Sequence, residues 1–179
     1  MAEYLYHFSE DPTIRRFEPR VAPTQQVEGA YVWAVDAHRE PTYWFPRECP
    51  RATWWPLDGS GHRTHAMQWD WLERFLTTDV FVYRFEAARF RRTEDAFGAD
   101  GRGFWVSEAT VVPVDVAPVG PLLDKHRAAG IELRVVPDLT PLWAEVVATP
   151  GLDYSGIRLR NLDPTPDAFL RRSTEAEPP

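Results

Sequence analysis

Apolar residues along the chain fall in short clusters, and their spacing switches repeatedly between a strand's and a helix's. Tyr4 to Phe8 reads as a strand rich in aromatics, starting almost at the first residue. Glu10-Asp11-Pro12 is a turn signal, and Thr13 to Phe17 leaves room for one helical turn before Pro19. Tyr31 to Val35 reads as a second strand. Thr42 to Phe45, held between Pro41 and Pro46, allows only a short helix or turn, with Pro41 suited to its first position. Ala52 to Trp55 gives a third strand ended by Pro56, and Asp58 to His62 a loop. Met67 to Leu76 sets Trp69, Leu72, Phe75 and Leu76 at helical spacing.

Asp79 to Phe85 alternates as a strand, and residues 97–103 form a glycine-rich turn. Phe104 to Ser107 and Thr110 to Val116 read as two strands, or as one strand bent at Glu108. Leu122 to Ala129 is a helix that Gly130 closes. Ile131 to Val136 is a strand, Leu142 to Ala148 a helix, and Ile157 to Leu159 a short apolar stretch. The early strands are joined by connections too short for repeated helical crossovers. The pattern therefore predicts an α+β fold, a single domain over residues 1–170 with a mainly antiparallel, twisted or split β-sheet and short flanking helices. Residues 171–179 read as a polar, frayed tail.

Composition excludes several alternatives. A length of 179 residues suits one domain, and 44% apolar content is enough for a core. Proline and glycine, 17 and 10 residues, stay below the ~25–30% of low-complexity chains. Twenty basic against 27 acidic side chains give a net charge of −7. Such a chain repels nucleic-acid backbones unless its cations cluster. Its one dense basic stretch, Arg84, Arg89, Arg91 and Arg92, reads as a solvated strand edge, so no nucleic-acid partner is expected. Cys49 is the only cysteine, which excludes an intrachain disulfide and a thiolate zinc cluster. As a nucleophile it has only Glu48 nearby as a base. No basic-then-apolar leader and no ~18-residue apolar run occur, so a cytoplasmic protein without membrane contact is expected. Oligomeric state is not legible.

Three segments carry candidate chemistry. Leu5-Tyr6-His7-Phe8-Ser9 puts a histidine on an early strand, two residues before a hydroxyl. Gly29 to Asp36 runs into Thr42-Tyr43-Trp44-Phe45, a strand followed by a short aromatic helix. Phe104 to Val112 carries Glu108 late in the sheet. Each also has an ordinary reading: His7 as a core histidine bonded to backbone, Tyr43 as core, Glu108 as a solvated carboxylate.

In this order the segments resemble the ADP-ribosyltransferase-like superfamily of the diphtheria-toxin and poly(ADP-ribose)-polymerase type, over about residues 4–112. Its members carry His-Gly-[Ser/Thr] on the first strand, a strand and helix with a nicotinamide-stacking Tyr, and a Glu on a later strand. The resemblance implies NAD as substrate and transfer or hydrolysis of ADP-ribose. It implies that His7 bonds the ribose hydroxyls, Ser9 the nicotinamide amide, and Tyr43 the nicotinamide face, with Trp33 or Trp44 as alternative stacking rings. Glu108 would hold the ribose 2′-hydroxyl and stabilise the oxocarbenium-like centre that forms as nicotinamide departs. Phe8 stands where the superfamily's glycine lets backbone approach nicotinamide, and lies in the implied binding segment. The whole chain is also similar to a small uncharacterised bacterial family that opens with a segment like Leu5 to Pro12 and ends with one like Ile157 to Asn161.

Two further readings belong to other classes. Six of the eight tryptophans fall between Trp33 and Trp71. A non-catalytic module could use such a cleft, built from Trp33, Tyr43 and Trp44, to hold a planar small molecule or a partner protein. Alternatively, His62 and His65 with Asp58 or Asp70 could bind a metal for hydrolysis, although no metal is expected. The acidic pairs Asp70/Glu73 and Glu94/Asp95 read as solvated, and no carboxylate pair can be assigned to a glycosidase cleft.

Overall fold

The computed structural model describes residues 3–21, 28–93 and 103–162. The tail from residue 163, the turn at 97–102 and the pair Glu94/Asp95 lie outside the described residues. In chain order the elements are β1 (Tyr4–Ser9), β2 (Val32–Val35), β3 (Arg51–Pro56), β4 (Thr64–Gln68), α1 (Leu72–Thr77), β5 (Phe81–Glu86), β6 (Arg91–Arg92), β7 (Phe104–Ser107), β8 (Asp115–Pro118), α2 (Leu122–Ala128), β9 (Glu132–Val136), α3 (Leu139–Ala148) and β10 (Leu152–Ile157). The fold is α+β, with mostly antiparallel sheet and few, short helices. The backbone divides into two compact units, residues 1–47 with 78–122 and residues 48–77 with 123–179.

The first unit is built on a six-stranded antiparallel sheet in the order β6-β7-β2-β1-β5-β8. Side chains alternate along a strand, so facing partners across a ladder share a face. Leu5 faces Phe85 and His7 faces Tyr83, while Ala34 faces Trp105. That face carries the core, in which Leu5, Val32, Ala34, Tyr83 and Phe85 are buried with Val111 and with Phe17 against them. Residues 13–17 do not make the predicted helical turn. Tyr83 reaches across, its hydroxyl donating to Asp11 O at 2.6 Å and accepting from Ile14 N at 3.1 Å. Phe17 and Val111 then exchange backbone bonds of 2.8 and 3.0 Å. Extended pairing, which seats the Phe17 ring on the core, displaces local helix here. Residues 112–114 likewise are not strand: Val111 makes an isolated bridge, and β8 begins only at Asp115.

The second unit has a four-stranded sheet, β10-β3-β4-β9, in which β4 and β9 run parallel and the other neighbours antiparallel. Every residue of β4 is buried. A strand covered on both faces shows no alternation, so Thr64 to Gln68 carries no strand signature and Met67 reads as helix. The predicted helix resolves into the end of β4, a 3-10 turn over Trp69–Trp71, and α1. Asp138 caps α3, its Oδ1 accepting from Thr140 N at 2.8 Å. β10 was hidden by the polar and glycine content of its sequence. Its Gly156 lies against Trp143 so closely that an added Cβ would sit 2.8 Å from the indole.

Candidate functional site

The three segments singled out by sequence fall on β1, β2 and β7, which lie side by side in the first unit's sheet. Their side chains do not converge. Tyr6 faces Val35, and continuing that register sets His7 beside Ala34 and Phe8 beside Trp33. One cross-strand row therefore reads Arg92, Trp105, Ala34, His7, Tyr83, Val116, and the next reads Arg91, Val106, Trp33, Phe8, Val82, Ala117. Adjacent rows project from opposite faces.

His7 lies on the core face. Its Nδ1–H donates to Trp33 O at 2.9 Å, and its ring meets Phe17 edge-on at 4.8 Å. Burial pushes its pKa down to about 4, so the imidazole is neutral, with its proton fixed on Nδ1 by the carbonyl. Ser9 shares this face and is buried, its hydroxyl accepting from Asp11 N at 3.1 Å as a turn cap. Both residues behave as structural groups of a packed strand.

The opposite face gathers the aromatics. Tyr43, at the end of the 3-10 helix Glu40–Tyr43, stacks on Phe8 at 5.8 Å with the planes 12° apart. Phe8 neighbours Trp33 in the row, and Trp33 meets Tyr31 edge-on at 6.2 Å. Tyr43, Phe8, Trp33 and Tyr31 thus form one continuous aromatic row of half-buried side chains. Trp44 does not join it as an open stacking platform: the ring is buried, and its Nε1–H donates to Glu40 Oε1 at 3.4 Å. The local chain is held by Asp36, whose Oδ1 accepts from Arg39 N at 3.0 Å, and by Gly103, whose missing side chain admits the Arg39 stem.

Glu108 lies in the bend just after β7, with its side chain 68% exposed and its Oε1 3.0 Å from Arg91 Nη2. Arg91 also lies over the Tyr31 ring at 5.7 Å, so this ion pair closes the far end of the aromatic row. Ser107, the residue before Glu108, is two strands across and two residues along from His7. Strand spacing and rise make that roughly 12 Å, and Glu108 is turned to Arg91, which stands in the row of the face opposite His7. In this arrangement His7 and Glu108 lie on different faces of the sheet.

The tryptophans between Trp33 and Trp71 are divided between the units, Trp33 and Trp44 in the first and Trp54, Trp55, Trp69 and Trp71 in the second. Arginines cap many of the aromatic faces: Arg63 lies over Trp55 at 4.0 Å, Arg134 over Trp54 at 5.4 Å, and Arg74 over Trp71 at 5.4 Å. At least seven such pairs occur among the described residues. A usual frequency of ~1 per 70–80 residues would give about two. Aromatic excess and arginine bias are thereby two sides of one packing habit.

The second unit separates the metal candidates. His62 is exposed in the loop, whereas His65 is buried on β4 with its Nδ1 2.9 Å from His126 Nε2 on α2. His126 escaped the sequence reading, since nothing local links residues 61 positions apart. Burial and the neighbouring cations hold His65 well below its usual pKa. Among the described residues no group of three or more His, Cys, Asp or Glu is placed to hold a metal ion. Cys49 is buried, and desolvation pushes its thiol up to about 12 against the smaller opposing pull of Arg51 and Arg74. That leaves almost no thiolate at neutral pH. No helix of the described residues is long and apolar enough to cross a membrane.

Fold and site together define an α+β protein with two mostly antiparallel sheets and an aromatic face on the larger one. Residues 6–162 match a family described as a family of unknown function, DUF6886, and the chain belongs to that family. No curated protein and no solved structure matches it.

Proposed function

We propose that the protein is a non-catalytic binding module for a planar, ring-bearing small molecule, held on the row formed by Tyr43, Phe8, Trp33 and Tyr31. The observation that carries this reading is the convergence of four half-buried rings on one sheet face, with His7 on the other. Stacked rings bind flat ligands at little conformational cost, and each base–aromatic stack contributes about 1–3 kcal/mol. Arg91, over Tyr31 at the end of the row, supplies a guanidinium for a phosphate or carboxylate on such a ligand. NAD or a related nucleotide fits this description and is the natural probe.

ADP-ribosyl transfer or hydrolysis on an ADP-ribosyltransferase-like fold is a second reading. It draws support from the adjacency of the three motif-bearing strands in the order β7, β2, β1. One experiment separates the two. Binding without catalysis predicts that NAD raises the melting temperature and that no nicotinamide is released. Under that reading Glu108→Gln changes affinity less than about twofold, while Trp33→Ala weakens it roughly tenfold or more. Nicotinamide release that Glu108→Gln abolishes supports the transferase instead. Absence of any shift with NAD, adenosine or nicotinamide overturns both.

A further inference from the structure

At one edge of the six-stranded sheet, β5 outruns its neighbour. β8 pairs with β5 only as far as Asp115 opposite Arg84, where Val114 N–H donates to Arg84 O at 2.8 Å. β5 continues along β1 to Glu86. The chain leading into β8 turns away at this point, and a notch of 350 Å³ opens between residues 85–89 and 110–114.

Its floor is apolar and fixed, made by Phe85 and Val111, both buried. Val112 and Val114 line it while remaining 68% and 49% exposed, an apolar surface with no cover among the described residues. Glu86 and Arg89 stand at the rim, three residues apart across a 3-10 turn; Glu86 projects from the sheet face opposite Phe85, at the open edge of β5, and neither has an ion pair with a described residue. One backbone donor also points inward. Ala87 N–H donates to Glu3 O on the β1 side, whereas Val119 N–H donates to Val80 O on the β8 side. Backbone groups alternate sides along β5, so Glu86 N–H faces the notch.

An anion and a cation at the rim of an apolar notch match a ligand with both charges and an apolar body. The volume lies at the small end of the ~300–1,000 Å³ of ligand sites, too small for a dinucleotide. We propose that this notch binds a free α-amino acid with an apolar side chain. Arg89 and Glu86 N–H take its carboxylate, and the Glu86 carboxylate takes its ammonium. The side chain lies against Phe85, Val112 and Val114. This site is separate from the aromatic row and does not depend on the reading given for it.

The test is titration of the full chain with L-leucine, followed by NMR of the valine methyls and backbone amides. Saturable shifts centred on Val112, Val114 and Glu86 are expected. 4-Methylpentanoate lacks the ammonium and 3-methylbutan-1-amine lacks the carboxylate, and each should bind roughly tenfold more weakly than leucine. Arg89→Ala should weaken leucine by a similar factor and leave the amine unchanged. Glu86→Gln should weaken leucine and leave the acid unchanged. Both side chains are exposed, and unaltered circular dichroism would show that the variants fold. No saturation through the tens-of-millimolar range, shifts centred elsewhere, or leucine bound no better than its two single-charge analogues would overturn the proposal.

Discussion

Two neighbouring cross-strand rows of the same sheet put their aromatics to different uses. In the row through His7, Tyr83 and Trp105, Phe17 packs edge-on against His7 and Tyr83, and Tyr83 enters the core with Phe17 and Trp105 against it. In the row through Trp33 and Phe8, Tyr43 lies nearly parallel to Phe8, and the far end finishes in the exposed Arg91–Glu108 pair. One face is closed by a strap, the segment from Asp11 to Phe17, tied down by Tyr83 and Val111. The other keeps half-buried rings in line. The lesson is that a one-residue step along β1 separates a structural histidine from a ring suited to binding.

Substitutions on the two faces should accordingly fail in different ways. Phe85→Ala, which empties a fully buried position of the core face, should cost about 3–5 kcal/mol of unfolding free energy in urea titrations. Its effect on affinity for a ligand stacked on the Phe8–Trp33–Tyr43 row should be no more than its effect on the folded fraction. Acid should also act through the core face. His7 is held near pKa 4 when folded and titrates near 6.5 when unfolded, so the unfolded chain takes up the proton first. Stability is then full above about pH 6.5 and falls by about 1.4 kcal/mol per pH unit between there and pH 4. His65, also depressed by burial, adds loss below its usual pKa. Replacing His7 with Gln should flatten the pH dependence of the melting temperature in this window.

Trp33→Ala probes the other face. It should weaken a stacked ligand by about 1–3 kcal/mol, read by calorimetric titration. Glu108→Gln should do least. An exposed ion pair contributes ~0–1 kcal/mol, so a stability change above that range would show that Glu108 has a larger role than closing the row.

Much of the first unit's sheet was legible in the sequence because its strands are short, aromatic and bounded by turn residues. What could not be read was the parity of the site. The segments bearing His7, Tyr43 and Glu108 run through or beside adjacent strands, but only the β1–β2 register decides that Phe8, and not His7, stands beside Trp33. The same blindness hid β4, whose full burial removes alternation, and the His65–His126 contact, which joins a strand to a distant helix. The crowding of tryptophan between Trp33 and Trp71 suggested one cleft. Its division between two units, and the arginine caps on Trp54, Trp55 and Trp71, are properties of topology.

The central claim is that ligand binding belongs to the Phe8–Trp33–Tyr43 face and not to a His7–Glu108 centre. It is tested most directly by two-dimensional NMR of the full chain titrated with NAD. The account predicts saturable shifts of the Trp33 indole N–H and the Phe8 and Tyr43 ring signals, with the His7 ring unmoved. Shifts of His7 and Glu108 together, with the aromatic row unaffected, would contradict it.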